Sequence, residues 1–205
     1  MMLGMLGIKL GMTQIFSQTG NAFPVTLIRT GPCIITNLKN YSLKKYNIIQ
    51  LGFLEVEDKK LNKPMLGYFK KYSLPSLKYL REFKVSKDEI YSVGMELKID
   101  KFHEGQLVKI CGYSIGKGFS GNQKRHNFKR GPMSHGSKNH RQPGSIGAGS
   151  TPGRVFPGTR MAGRLGNKYI SIPNLEIIKI DICNHLLFVK GAVPGKVGNI
   201  LSIIT

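Results

Sequence analysis

The 205 residues predict a mainly β fold, a closed β-barrel carrying one long, irregular, basic loop and one or two short helices. Two observations support this. Short runs rich in β-branched and aromatic residues recur towards both ends of the chain, each bounded by Gly, Pro or Asn, as in all-β barrels and sandwiches. Between them lies Ser114–Lys168, whose 55 residues hold 12 Gly and 11 Lys or Arg with no Asp or Glu. Loops without structure of their own rarely exceed about 12–15 residues in a compact domain. Its apolar residues, among them Phe119, Phe128, Ile146, Val155, Phe156 and Leu165, are too few and too scattered to build a core. The globular domain is therefore expected over 1–113 and 169–205, and the loop over 114–168.

The elements follow in order. Met5–Leu10 and Thr13–Phe16 read as two strands broken at Gly11, and Ala22–Arg29 and Cys33–Leu38 as two more, split by Thr30-Gly31-Pro32. Tyr46–Leu54 is a further strand. Pro64–Tyr72 has Met65, Tyr68, Phe69 and Tyr72 at helical spacing behind a proline suited to a first turn, so one short helix is expected there. Tyr79–Val85 and Glu96–Ile99 read as strands joined by the acidic turn Lys87-Asp88-Glu89. Gln106–Tyr113 is the last strand before the loop. Tyr169–Ile172, Leu175–Ile182, Asn184–Val189 and Ile200–Ile204 resume the β pattern after it.

Charge is spread unevenly. Residues 1–104 hold 16 bases and 9 acids, 105–175 hold 12 and none, and 176–205 hold 3 and 2. That asymmetry points to nucleic acid or an acidic membrane surface. No run approaches the roughly 18 apolar residues of a membrane span. The opening Met1–Leu6 has neither the basic flank nor the cleavage site of a signal peptide. Cys33, Cys111 and Cys183 are odd in number and far apart, which fits buried thiols in a reducing compartment. Outside 114–168 there are 18 Lys and 2 Arg, but inside there are 5 Lys and 6 Arg. Heavy use of Lys, Ile, Asn and Tyr suggests an AT-rich genome. Arg then persists where its planar five-donor fork can clamp phosphate or stack on bases.

Within the loop, Gly116-Lys117-Gly118-Phe119-Ser120-Gly121 satisfies G-x-G-x-x-G after a strand. A dinucleotide site also needs an acid about 20 residues on, and none occurs before Glu176. A phosphate-binding Walker loop fails as well, with one residue too few and Gly118 where Ser or Thr belongs. The better reading is a Gly-rich bend into a short helix, Gly121–Phe128, ringed by Lys124, Arg125, Lys129 and Arg130, for RNA phosphates. His126, His135 and His140 stand 9 and 5 residues apart, with no Cys or carboxylate beside them, so neither metal nor cofactor is expected. His126, Phe128 and His140 are candidates for stacking on bases. The cations expected to neutralise phosphate are Lys117, Lys124, Arg125, Lys129, Arg130, Lys138, Arg141, Arg154, Arg160, Arg164 and Lys168. Gly118, Gly144, Gly147, Gly149 and Gly153 should let backbone approach RNA, while Pro143 and Pro152 stiffen the tip.

Gly7–Phe16 with Pro24-Val25-Thr26 resembles the opening of the universal large-subunit ribosomal protein L three family, of bacterial or plastid type. Gly116–Gly121 with Lys124-Arg125 and Asn127-Phe128 continues the likeness. So do Pro143–Gly147, Thr151-Pro152-Gly153, Met161-Ala162-Gly163 and Val189–Gly195. The resemblance implies a translation-protein-type barrel whose loop threads into large-subunit rRNA towards the peptidyl transferase centre. It also implies an early role in subunit assembly, neighbouring ribosomal proteins as partners, and no membrane or small-molecule substrate. An extended hairpin of about 27 residues each way could reach at most about 90 Å. Many bacterial members carry a methylated Gln before the Thr-Pro-Gly; Ser150 stands here, so that modification is not carried over. A Trp common after the Lys-Arg pair is His126 here. No enzyme activity is implied. The composition suggests a plastid ribosome, with an AT-rich bacterium as the alternative location. A free-standing RNA chaperone using the same cations is the rival function.

Overall fold

A computed structural model describes residues 4–41, 46–87 and 90–205. Contacts divide the chain into two units, Met1–Ser114 with Tyr169–Thr205, and Ile115–Lys168. The described part is mainly β, with two short α-helices.

The larger unit holds β1 (Gly4–Phe16), β2 (Ala22–Arg29), β3 (Cys33–Lys39), β4 (Tyr46–Glu55), α1 (Lys63–Lys71), β5 (Leu77–Ser86), β6 (Glu96–Leu97) and β7 (Leu107–Tyr113). The smaller unit holds β8 (Gly118–Ser120), α2 (Asn122–His126) and β9 (Gly163–Leu165). The chain then returns to the larger unit with β10 (Tyr169–Asp181), β11 (Leu186–Lys190) and β12 (Ile200–Ile204). Six strands pair in the order β1-β12-β7-β10-β11-β2, and β2 pairs back onto β1, so the hydrogen-bonded order is cyclic. A second sheet has the order β5-β4-β3-β6.

Several predicted breaks are bulges instead. β1 runs on through Gly11, where its register against β2 slips between Lys9 and Gly11 and leaves Leu10 unpaired. A bulge bends a strand without ending it, and glycine is common there. Tyr169–Ile172 and Leu175–Ile182 likewise join into the single strand β10, with a register shift across Pro173 and Asn174. Proline cannot donate to the ladder, yet pairing with β7 resumes at Leu175. The strand predicted at Glu96–Ile99 ends at Leu97, and Ile99–Lys101 is a 3₁₀ turn. The predicted acidic turn at Asp88-Glu89 lies outside the described residues.

One apolar cluster serves the ring and the second sheet together. Met5, Ile28, Ile110, Ile177, Leu187 and Ile203 from the ring, and Ile35, Ile49, Leu51 and Leu97 from the sheet, are fully buried within it. Their alternation along each strand is what a half-buried sheet requires. Helix α1 starts one residue before its expected position, with Pro64 in its first turn, and it buries Phe69. Tyr68 holds it in place by donating its hydroxyl to the Thr36 carbonyl (3.1 Å) and to Gln50 Oε1 (2.8 Å) on β3 and β4.

Lys9 gave no signal in the sequence. It is buried, and its ammonium donates to the Val193 (3.0 Å) and Gly195 (2.9 Å) carbonyls. Burial lowers its pKa, and the two carbonyls compensate for the lost water. The Gly191–Gly195 turn is thus fastened to β1.

The strands that bracket the smaller unit in sequence are ladder partners, with Tyr113 opposite Tyr169. Residues 115–168 are therefore an insertion between two neighbouring strands of the ring.

Candidate nucleic-acid interface

The smaller unit closes on itself at its two ends. Gly118, Phe119 and Ser120 on β8 pair with Leu165, Arg164 and Gly163 on β9. The Lys117 amide extends the ladder by donating to the Leu165 carbonyl (2.9 Å). A Cβ on Gly166 would overlap the Ile115 carbonyl, so only glycine allows the two ends to lie this close.

Past β8 the chain turns at Gly121 into α2, which Asn127 ends in the left-handed region at φ 60°. The helix is shorter than the predicted Gly121–Phe128 because Asn tolerates that conformation and caps helices with it. Two side chains of α2 reach one acceptor. Arg125 Nη1 donates to the Met161 carbonyl at 2.5 Å, and His126 Nε2 meets the same oxygen at 3.0 Å. A carbonyl only accepts, so His126 carries its proton on Nε2 in this contact. A Cβ on Gly163 would stand 2.7 Å from Arg125 Nη1, so the bare glycine makes room for the guanidinium. The His126 ring lies 6.1 Å from that of Phe128, tilted by 46°.

A second clasp closes residues 131–140. The Gly131 amide donates to the His140 carbonyl (3.1 Å), and His140 Nδ1 donates to the Pro132 carbonyl (2.8 Å). A side chain at 131 would overlap the Asn139 carbonyl. Beyond this clasp every residue from 141 to 162 is exposed. The tip holds a turn in which the Gly153 amide donates to Gly149 (3.0 Å), both glycines having positive φ, whereas Gly147 does not. Arg154 lies over the Phe156 ring, 5.6 Å from its centroid.

The predicted site residues fall into two groups. Lys117, Lys124, Lys129, Arg130, Lys138, Arg141, Arg154, Arg160, Arg164 and Lys168 are exposed, as are Gly118, Gly144, Gly147, Gly149 and Gly153. Arg125, His126, Phe128 and His140 are half-buried, and three of them make hydrogen bonds inside the unit. The unit contains no Asp or Glu. Phe119 (81%) and Phe156 (56%) are exposed phenyl rings of this unit that the sequence did not single out for stacking. Their isolation among cations was the available signal. Among the described residues, no three His, Cys, Asp or Glu side chains gather as a metal site would need.

The geometry provides clasped loops that present backbone and cations outwards, which suits a polyanion more than a small molecule. Comparison with known proteins gives the family. The family described as Ribosomal protein L3 matches residues 81–185. The Large ribosomal subunit protein uL3 of Trichormus variabilis is 55% identical over 204 residues, covering 100% of this chain and 97% of that protein. The uL3c protein of Porphyra purpurea is 56% identical over 203 residues, covering 99% of each chain. That of Phaeodactylum tricornutum is 55% identical, covering 100% of this chain and 99% of its own.

Proposed function

The chain belongs to the ribosomal protein L3 family of the large ribosomal subunit, and from this premise we propose that Ile115–Lys168 is its anchor in large-subunit rRNA. The observation that carries the proposal is a carboxylate-free unit with 11 Lys or Arg, given defined loops by the Met161 and His140 clasps. The exposed cations would neutralise phosphates, releasing counterions as they do. The glycines at the tip would let backbone amides approach the RNA. Arg125, His126 and His140 act first inside the unit, shaping the surface that the other cations present.

The cyclic strand order supports reading the larger unit as a translation-protein-type barrel, and the unit inserted between β7 and β10 would reach towards the peptidyl transferase centre. The protein acts by holding RNA geometry, with neighbouring ribosomal proteins as further partners, and peptide transfer is assigned to none of its side chains. Binding at this depth implies entry early in subunit assembly. The relatives are cyanobacterial proteins and plastid-type proteins of algae. A plastid ribosome is the assigned location, with a bacterial cytoplasm as the alternative.

Co-sedimentation of the tagged chain with ribosomal subunits tests this, beside a variant with 114–168 replaced by a short Gly-Ser turn. The expected result is that the full chain stays on the large subunit at high salt while the shortened one is lost. If the full chain washes off, or spreads over all RNA, the protein is a free-standing RNA chaperone.

A further inference from the structure

We infer that Tyr113 and Tyr169, outside the basic unit, form a stacking platform for an unpaired RNA base; this rests on the RNA-binding reading above. The two residues are direct partners across the β7–β10 ladder, so their side chains leave the sheet on the same face. Their rings meet edge to face, with centroids 5.3 Å apart and planes at 68°. That arrangement satisfies the pair's own quadrupoles. Both stay exposed, at 46% and 53%. Neither hydroxyl has a hydrogen-bond partner among the described residues.

A protein core would have buried such rings, and a merely solvated strand end has no need of two. The backbone beneath them is held still. The Asn199 side-chain amide donates to the Tyr113 carbonyl (3.1 Å), and Gly112 next to it pairs with Leu201 on β12. The Tyr169 end of β10 has β7 on one side and no strand on the other among the described residues, because β10 meets β11 only from Ile177 onwards.

Charge selects the occupant. Both tyrosines lie in the run from 105 to 175 that contains no Asp or Glu. Lys109, also exposed, stands an even number of residues along β7 from Tyr113 and so shares its face. Aromatic rings with a cation about 13 Å along the same face of a carboxylate-free strand suit a short single strand, one base stacking while a neighbouring phosphate meets the ammonium. Such stacking tolerates any base, since every base has a π-face. On the same sheet face Glu176, opposite Leu107, is ion-paired with Lys190 (3.1 Å).

The chain contains no Trp, so Tyr113→Trp places a single indole at the platform. Titration of the full-length variant with a short oligoadenylate should quench its emission saturably. In parallel, affinity for large-subunit rRNA is measured against salt for the wild type, for Tyr113→Leu with Tyr169→Leu, and for the same pair changed to Phe. The Leu pair should weaken binding by roughly 5- to 150-fold. Its log–log salt slope should match the wild type, because no charge is removed. The Phe pair should bind like wild type, which separates loss of a stacking face from loss of a hydroxyl. Melting curves of both pairs identify any effect that is only unfolding. Wild-type affinity in a folded Leu pair overturns the platform and leaves the rRNA reading intact. Weakened subunit incorporation with unchanged rRNA affinity overturns it in favour of a protein contact. If the wild type binds no RNA, both readings fall.

Discussion

Lys124 and Arg125 are adjacent cations that sequence reasoning treats alike, and the structure predicts opposite consequences for losing them. Lys124 is exposed. Replacing it with Gln should leave the unit's fold unchanged and remove one phosphate contact, lowering the salt slope of rRNA binding by about 0.7–0.9. Arg125 donates to the Met161 carbonyl and rests against Gly163, tying α2 to the returning chain. A hydrogen bond from a charged donor contributes about 1.5–3 kcal/mol when well shielded. For the half-buried Arg125, about 1–2 kcal/mol is a fair share, or roughly 5- to 30-fold in the opening equilibrium of the unit. Arg125→Gln should therefore speed amide exchange of the β8–β9 ladder by that factor and weaken binding through disorder. Hydrogen-exchange mass spectrometry on the free protein, with filter binding from low to high salt, reads both effects. Equal slope changes for the two variants, with unchanged exchange in each, would refute the assignment of Arg125 as a clasp.

Gly131→Ala should break the 131–140 clasp, since the added Cβ meets the Asn139 backbone carbonyl and not a yielding side chain; overpacking of this kind costs about 1–3 kcal/mol. Gly147→Ala, with an ordinary φ and no close neighbour, should be silent in the same exchange experiment. Lys9→Met should leave the Val193 and Gly195 carbonyls without their donor; a loss of about 2–3 kcal/mol would lower the melting temperature by several degrees. In the native protein a thiol reagent should label exposed Cys183 and spare Cys33, whose pKa burial pushes up from 9.0 to about 12. Because that folded pKa lies above the unfolded one, the associated stability is intact below about pH 9 and is lost as pH rises towards 12. Chemical denaturation across that range should show the decline.

Local sequence was enough for the mainly β class, the short helix at Pro64 and the contrast in composition between an apolar part of the chain and a cationic one. Period-2 alternation is a local property, and so is a run without carboxylates, so both can be read from neighbouring residues. Tertiary structure alone decided the rest. Gly11 and Pro173-Asn174 look like strand ends, yet pairing across the ladder turns each into a bulge. Whether a strand continues depends on the partner chain, which in sequence lies far away. The same distance hides Lys9, whose acceptors lie 184 and 186 residues on. In the basic unit, composition marks all 11 Lys and Arg as alike. Only the fold brings Met161 back to α2 and makes Arg125 and His126 internal fasteners while Lys124 stays free to face solvent. Charge can be counted along a chain. What a charge touches is fixed only when remote segments meet.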